Sequence, residues 1–363
     1  MATRVARSSV GLVTQGHFSG CRALAWHGRS LYVGQRYTLW RWEPECVESR
    51  WTYVARFQPR WDRRVSSVTR LGSRLRRDGF HALEVLSDGS MVAVLPGAIA
   101  VLPPGETTFR VTWRIQRGTR PLGLAQTASG AVFWGEYYAN KSRDSVHVYG
   151  SLDGGRRWEI AHTFEAGCIR HVHNIVYDRF EDCLWMVTGD ADAESRVIRV
   201  SSDWREMRTV LSGSQQTRVL ALVPTEQALY FATDTPSETN HIYRLRRGGT
   251  PEPLAVIAGS GMRGCRVGRA LFFSSGVEPS AVNQHPFTCL YGSSDGRYWT
   301  KLRQWRADFW AGRLFQYSRF LLPRGENATD ILAGTSVAVK PHDGTMVAWR
   351  VSQEGDGEPT VCD

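Results

Sequence analysis

The 363-residue sequence predicts an all-β chain folded as a single β-propeller of about seven four-stranded blades. Three observations lead there. The 14 Trp, 12 Tyr and 14 Phe are spread along the whole chain, usually beside Gly or a β-branched residue, a composition that favours strands. No stretch shows the 3.6-residue apolar period of a convincing amphipathic helix. One unit recurs: an apolar strand, a turn, a second apolar strand ending in a small residue, then a third strand with a polar turn.

The clearest copies of this unit are Val172–Thr209, Arg218–Ile257 and Val267–Leu302, with earlier ones at Leu24–Trp42, Phe80–Leu102 and Pro121–Trp158. A last copy begins near Phe320 and ends at Met346–Val351. Each offers three or four short strands whose faces stay exposed unless neighbours stack on them, so the copies must pack into a ring. Blades are expected at 17–50, 51–105, 106–165, 166–212, 213–259, 260–306 and 307–353, followed by an acidic, frayed tail at 354–363. The arginine-rich stretch Arg60–Arg76 reads as an exposed loop between the first two blades.

The turn SLDGGRRW, Ser151 to Trp158, fits S-x-D-x-G-x-x-W at every fixed position. Ser293–Trp299 is a copy one residue shorter, and Ser201-Ser202-Asp203-Trp204 a worn third. Asp153 and Asp203 are 50 residues apart and Asp203 and Asp295 are 92 apart, about one and two blade lengths. This pattern resembles the Asp-box, or BNR repeat, of sialidase-like β-propellers. The resemblance implies a structural role: Asp and Ser tie the turn to the backbone while Trp packs into the blade. Sialidases also use an arginine triad, a Tyr nucleophile and an early FRIP-like segment. No FRIP occurs here, which argues against sialidase specificity.

The formal charge of +10 is almost all arginine, the only lysines being Lys141, Lys301 and Lys340. Arginine's planar fork suits carboxylate, sulfate and phosphate alike. A solvated basic surface would explain the charge, and so would an anionic partner, for which an acidic oligo- or polysaccharide is favoured. No nucleic-acid motif accompanies the arginines. Met1 to Gly16 lacks the apolar core of a secretory signal, and no stretch approaches the ~20 apolar residues of a membrane span, so a cytoplasmic monomer is expected. The seven cysteines are widely spaced without a CxxC pair and read as reduced thiols. The sequons at Asn140 and Asn327 carry no weight without a leader.

In a four-stranded blade the start of strand one and the end of strand two share one rim, and the turn between strands three and four lies on the other. At the end of strand two stand Glu136, Asp190, Asp234 and Glu278, at intervals of 54, 44 and 44 residues. At the start of strand one stand Arg170, His171, His173 and Arg218. These groups are expected to converge on one mouth of the channel, opposite the Asp-box turns. His171 and His173 alternate with Val172 and share a face, suited to proton transfer or to a divalent metal; no cofactor is required.

His171, His173, Tyr137, Glu136 and Asp190 are the candidate catalytic residues, and Arg218, Arg170, Asp234, Glu278 and Tyr138 the candidate substrate contacts. The set His171, His173, Tyr137 and Arg218 looks like a polysaccharide lyase site for uronic acids, with Arg218 offsetting the uronate charge. A glycoside hydrolase using two of the carboxylates is the second enzymatic reading. The alternative is a non-catalytic glycan- or protein-binding propeller.

Overall fold

The computed structural model describes residues 10–46, 50–310 and 312–353. Its first sheet comprises strands Arg22–Gly28, Ser30–Gln35, Thr38–Glu43 and Arg50–Arg56. The second runs through Ala82–Val85, Met91–Leu95, Ala98–Leu102 and Arg110–Arg114. Ala125–Gln126, Val132–Gly135, Val146–Ser151 and Glu159–Phe164 form the third. The fourth holds His171–Asp178, Cys183–Gly189, Arg196–Ser201 and Met207–Ser212. The fifth holds Val219–Pro224, Ala228–Thr233, Asn240–Arg246 and Pro251–Ile257. Within each sheet the chain meanders antiparallel; the short strand Arg324–Asn327 adds a parallel edge to the first sheet.

The protein is a single β-propeller, with five separate blades rather than the expected seven. Apart from Arg324–Asn327, the strands from Ser260 onward run into one nine-stranded sheet, because Gly276 pairs with Arg319 and Arg306–Ala307 pair with Val339–Lys340. That sheet also takes in Val10–Ser19, paired along Thr345–Gln353. Pairing the two ends of the chain covers an edge that would otherwise present unpaired amides. Three expected boundaries move: residues 17–19 belong to the last sheet, Arg50–Arg56 completes the first, and Arg110–Arg114 completes the second.

Second strands such as Leu-Trp-Met-Val-Thr in the fourth sheet are buried along their whole length, because neighbouring sheets pack on both faces. The core therefore lies between sheets. Leu39 and Leu95 join the first to the second, Val132 and Ile99 the second to the third, and Phe133 and Met186 the third to the fourth. Phe231 and Trp185 join the fourth to the fifth, and Phe273 and Tyr230 the fifth to the long sheet. Leu31 and Ala333 then close the ring between the long sheet and the first. Each large side chain buried this way contributes roughly 2–3 kcal/mol.

The stretch Arg60–Arg76 is not a loop. It forms two short helices, Trp61–Ser66 and Arg70–Arg76, the second capped by Thr69, whose hydroxyl accepts from the Gly72 amide at 3.1 Å. Helices of six and seven residues are too short to show a period. Tertiary ion pairs hold them: Arg63 to Asp78 at 3.0 Å, Arg70 to Asp343 at 2.6 Å, and Arg74 to Asp308. The expected tail at 354–363 and Cys362 lie outside the described residues, where the other six cysteines are free thiols. Among the described residues no helix is long and apolar enough to cross a membrane.

Candidate functional site

Register places the histidines and the polar turns at opposite edges of the fourth sheet. His171 pairs with Gly189, while Asp178 pairs with Cys183 and Cys183 with Ser201, next to Asp203. The other Asp-containing turns likewise lie between third and fourth strands. Asp153 accepts from the Ser151 hydroxyl at 2.9 Å and from the amides of Arg156 and Arg157 at 3.1 and 2.9 Å. Asp295 makes the equivalent set with Ser293, Arg297 and Tyr298.

At the other edge, a bulge at Val172–Asn174 breaks simple alternation, and Gly189 leaves room for an imidazole: a Cβ there would meet His173 Cε1 at 2.4 Å. The His171 Nδ1 proton goes to the Tyr138 carbonyl at 2.8 Å and that of His173 Nδ1 to the Val219 carbonyl at 3.0 Å. Both Nε2 atoms then face each other at 3.0 Å. They stand 3.4 and 3.2 Å from Asp190 Oδ1. Arg218 meets the same oxygen at 3.2 Å, and Arg170 meets Oδ2 at 2.9 Å. Burial alone would raise the Asp190 pKa, but hydrogen bonds from both histidines and the Arg218 charge hold it far below the usual range. Burial lowers the His173 pKa.

Four predicted residues take other roles. Glu136 is buried in an ion pair with Arg117 and accepts the His147 amide at 2.9 Å, so it is committed to structure. The Tyr138 hydroxyl receives Arg117 at 3.1 Å, and only its backbone carbonyl serves the histidines. Arg170 orients Asp190 while donating to the Ala139 carbonyl at 2.8 Å. Arg218, expected to offset a substrate charge, is occupied by Asp190 and, at 3.7 Å, by Asp234. Burial raises the pKa values of Asp234 and Glu278, reinforced at Asp234 by Glu278 and at Glu278 by Asp190, and Asp234 Oδ1 is buried with no hydrogen-bond partner among the described residues.

The Tyr137 ring stacks on His171 with centroids 4.4 Å apart. Its hydroxyl has no hydrogen-bond partner among the described residues. Burial, reinforced by Asp234, Asp190 and Glu278, pushes its pKa up to about 12, so it is a protonated phenol at neutral pH.

A second group was not anticipated. Arg22, Arg120, Arg263, Arg319 and Arg324 all have pKa values lowered by burial, and in all but Arg324 other arginines add to the effect. Arg22 falls to about 9. Arg263 reaches the Leu122 carbonyl at 2.9 Å; Arg324 reaches the Leu124 carbonyl at 2.8 Å and Asn174 Oδ1 at 2.5 Å. These bonds join sheets that are not neighbours, so both side chains cross the ring. Arg22 leans on His81 Nδ1 at 3.2 Å. Arg120, only 8% exposed, has no hydrogen bond or ion pair among the described residues. It lies within electrostatic reach of Arg319, Arg22 and Tyr137.

A sequence signal for these residues existed. Arg22, Arg120 and Arg319 stand at or just before the first strand of their units, the position that yielded Arg170, His171 and Arg218. A cavity of about 760 Å³ on the side of the helical insertion takes in Arg22, together with Arg36, Arg70 and His81.

No family model and no curated protein matches this chain. Among solved structures, a chain from the crystal structure of the mitotic checkpoint complex aligns over 96% of this chain and 98% of its own, with TM-score 0.56 and 11% identity. The likeness is one of fold. A chain of the nidogen/laminin complex gives TM-score 0.49 at 10% identity over 86% of this chain and 98% of its own. Luciferin-regenerating enzyme gives 0.48 at 11% over 77% and 91%.

Proposed function

We propose that this propeller recognises an acidic glycan at the channel mouth and acts on it as a carbohydrate enzyme, a uronate lyase ahead of a glycoside hydrolase. One observation carries the reading: Arg120, a buried residue with no ion pair among the described residues, lies within electrostatic reach of other arginines and of a phenol whose proton is available. Buried charges are ordinarily paired, so an unpaired one is a natural seat for a ligand anion. Arg120, with Arg22 and Arg319, takes the role first assigned to Arg218.

In the elimination, a base removes the proton α to the uronate carboxylate, and that electron pair forms a carbon–carbon double bond. The bond to the glycosidic oxygen breaks, and the departing oxygen takes a proton. The guanidiniums offset the charge that develops on the carboxylate. Tyr137 is the proton donor. Asp234, its pKa raised to about 7 by burial and by Glu278, supplies the base. The same raised carboxyl suits the general acid of a hydrolase, which keeps that reading second.

Incubation with a panel of uronic-acid polysaccharides, following both the ultraviolet absorbance of the unsaturated product and reducing ends, decides between them. Absorbance lost in Tyr137→Phe supports the lyase; reducing ends without absorbance, lost in Asp234→Asn, support the hydrolase. Binding without either signal leaves the non-catalytic glycan-binding reading. We also infer that the turns at Asp153, Asp203 and Asp295 are Asp-box repeats. The spacing of those turns and the shared Ser–Asp bonding of each support this.

A further inference from the structure

His171, His173 and Asp190 converge in a way that neither a proton-transfer role nor a packing role requires. Each Nδ1 proton is committed to a backbone carbonyl, of Tyr138 and of Val219, so a neutral ring presents its Nε2 lone pair and only an imidazolium donates from Nε2 to Asp190. Two such lone pairs facing each other at 3.0 Å repel unless something electrophilic lies between them. Asp190 Oδ1 completes a triangle with sides of 3.0, 3.2 and 3.4 Å. A point about 2.1 Å from all three corners exists just off that plane, and about 2.1 Å is the distance at which imidazole nitrogen and carboxylate oxygen bind zinc and its neighbours.

We propose that His171 Nε2, His173 Nε2 and Asp190 Oδ1 form a site for one divalent first-row transition metal. Two imidazoles and one carboxylate on one side of the ion leave its other positions for water or a ligand oxygen. The outer contacts are those expected around such a site: carbonyls fix both ring orientations, and Arg170 holds the far carboxylate oxygen at 2.9 Å. Arg218, 3.2 Å from Oδ1, marks the side from which the ion does not approach. The site stands independently of the glycan reading, since its ligands come from this chain alone. The residues of the second convergent cluster, Asp178, Glu181 and Cys183, are already taken up by Arg247, Arg199 and the Trp185 indole.

The test uses the full chain, stripped with a chelator and titrated with Co²⁺ and then Zn²⁺. The expected result is one equivalent bound, with the visible absorption of nitrogen-coordinated cobalt, displaced by zinc. His173→Ala and Asp190→Asn should each weaken binding at least 100-fold, while His241→Ala, in the neighbouring sheet, leaves it unchanged. Near-ultraviolet circular dichroism of each variant establishes that it is folded. Should a variant fail that check, nitrogen NMR of the imidazoles in the native chain decides instead. Both Nε2 resonances moving to metal-bound positions with one equivalent of Zn²⁺ supports the site. No cobalt spectrum, binding indifferent to the substitutions, or a proton shared between the two Nε2 atoms in the presence of excess Zn²⁺ overturns it.

Discussion

Replacing Arg120 with Met should make the ligand-free protein more stable and its ligand binding weaker. Arg120 is 8% exposed as a residue, its guanidinium has no hydrogen bond or ion pair among the described residues, and it feels Arg319 and Arg22. Methionine fills similar volume without charge. Relieving an unsatisfied buried polar group is worth about 1–3 kcal/mol. With an unfolding entropy near 2.1 cal/mol/K per residue, 363 residues give ~0.8 kcal/mol/K, so the melting temperature should rise by about 1–4 °C. A charge-assisted hydrogen bond to a ligand carboxylate is worth about 1.5–3 kcal/mol, so affinity for an acidic oligosaccharide should fall roughly 10- to 100-fold. Differential scanning calorimetry without ligand and isothermal titration with uronate oligomers measure the two halves. A melting temperature lowered by more than about 1 °C would mean that Arg120 is structurally satisfied, and unchanged affinity would remove it from the site; either result refutes the reasoning.

Three further outcomes are expected. Burial raises the Glu84 pKa from 4.5 to about 7, against which the Arg324 charge acts. Its neutral form therefore belongs to the folded state, and its contribution to stability is lost as pH rises from about 4.5 through 7. Glu84→Gln should match the native chain near pH 4 and exceed it by on the order of 2 kcal/mol above pH 7, read from denaturant midpoints; equal midpoints at every pH would contradict this. Arg324→Met leaves the Leu124 and Ile175 carbonyls and Asn174 without their donor, so urea unfolding should show a loss of about 2–4 kcal/mol. A smaller loss would show that the cross-channel bonds are replaceable by water. Asp153→Ala frees two backbone amides and the Ser151 hydroxyl at the edge away from the mouth. It should cost about 1–2 kcal/mol by the same measurement and leave uronate binding untouched; weakened binding would put that turn in the site.

The strand units, the placing of His171 and His173 opposite the Asp153 type of turn, and the approach of Asp190, Arg218, Asp234 and Glu278 to one another were all legible from one sequence. The reason is local: alternating strands and short turns determine which end of a blade a residue occupies, whatever the neighbours do. Glu136 shows where that logic stops. It shares the chain position of Asp190, but Arg117, 19 residues earlier, claims it. The short helices at 61–76 were hidden for a related reason, since their stability comes from Asp78, Asp308 and Asp343 and not from an apolar face. Which of 42 arginines lack a partner depends on what lies across the ring, as Arg263 and Arg324 show by bonding to sheets far off in sequence. Local periodicity thus settled the rim on which a side chain stands, whereas the partner it meets there, and so whether its charge is spent or available, was decided only by ring closure.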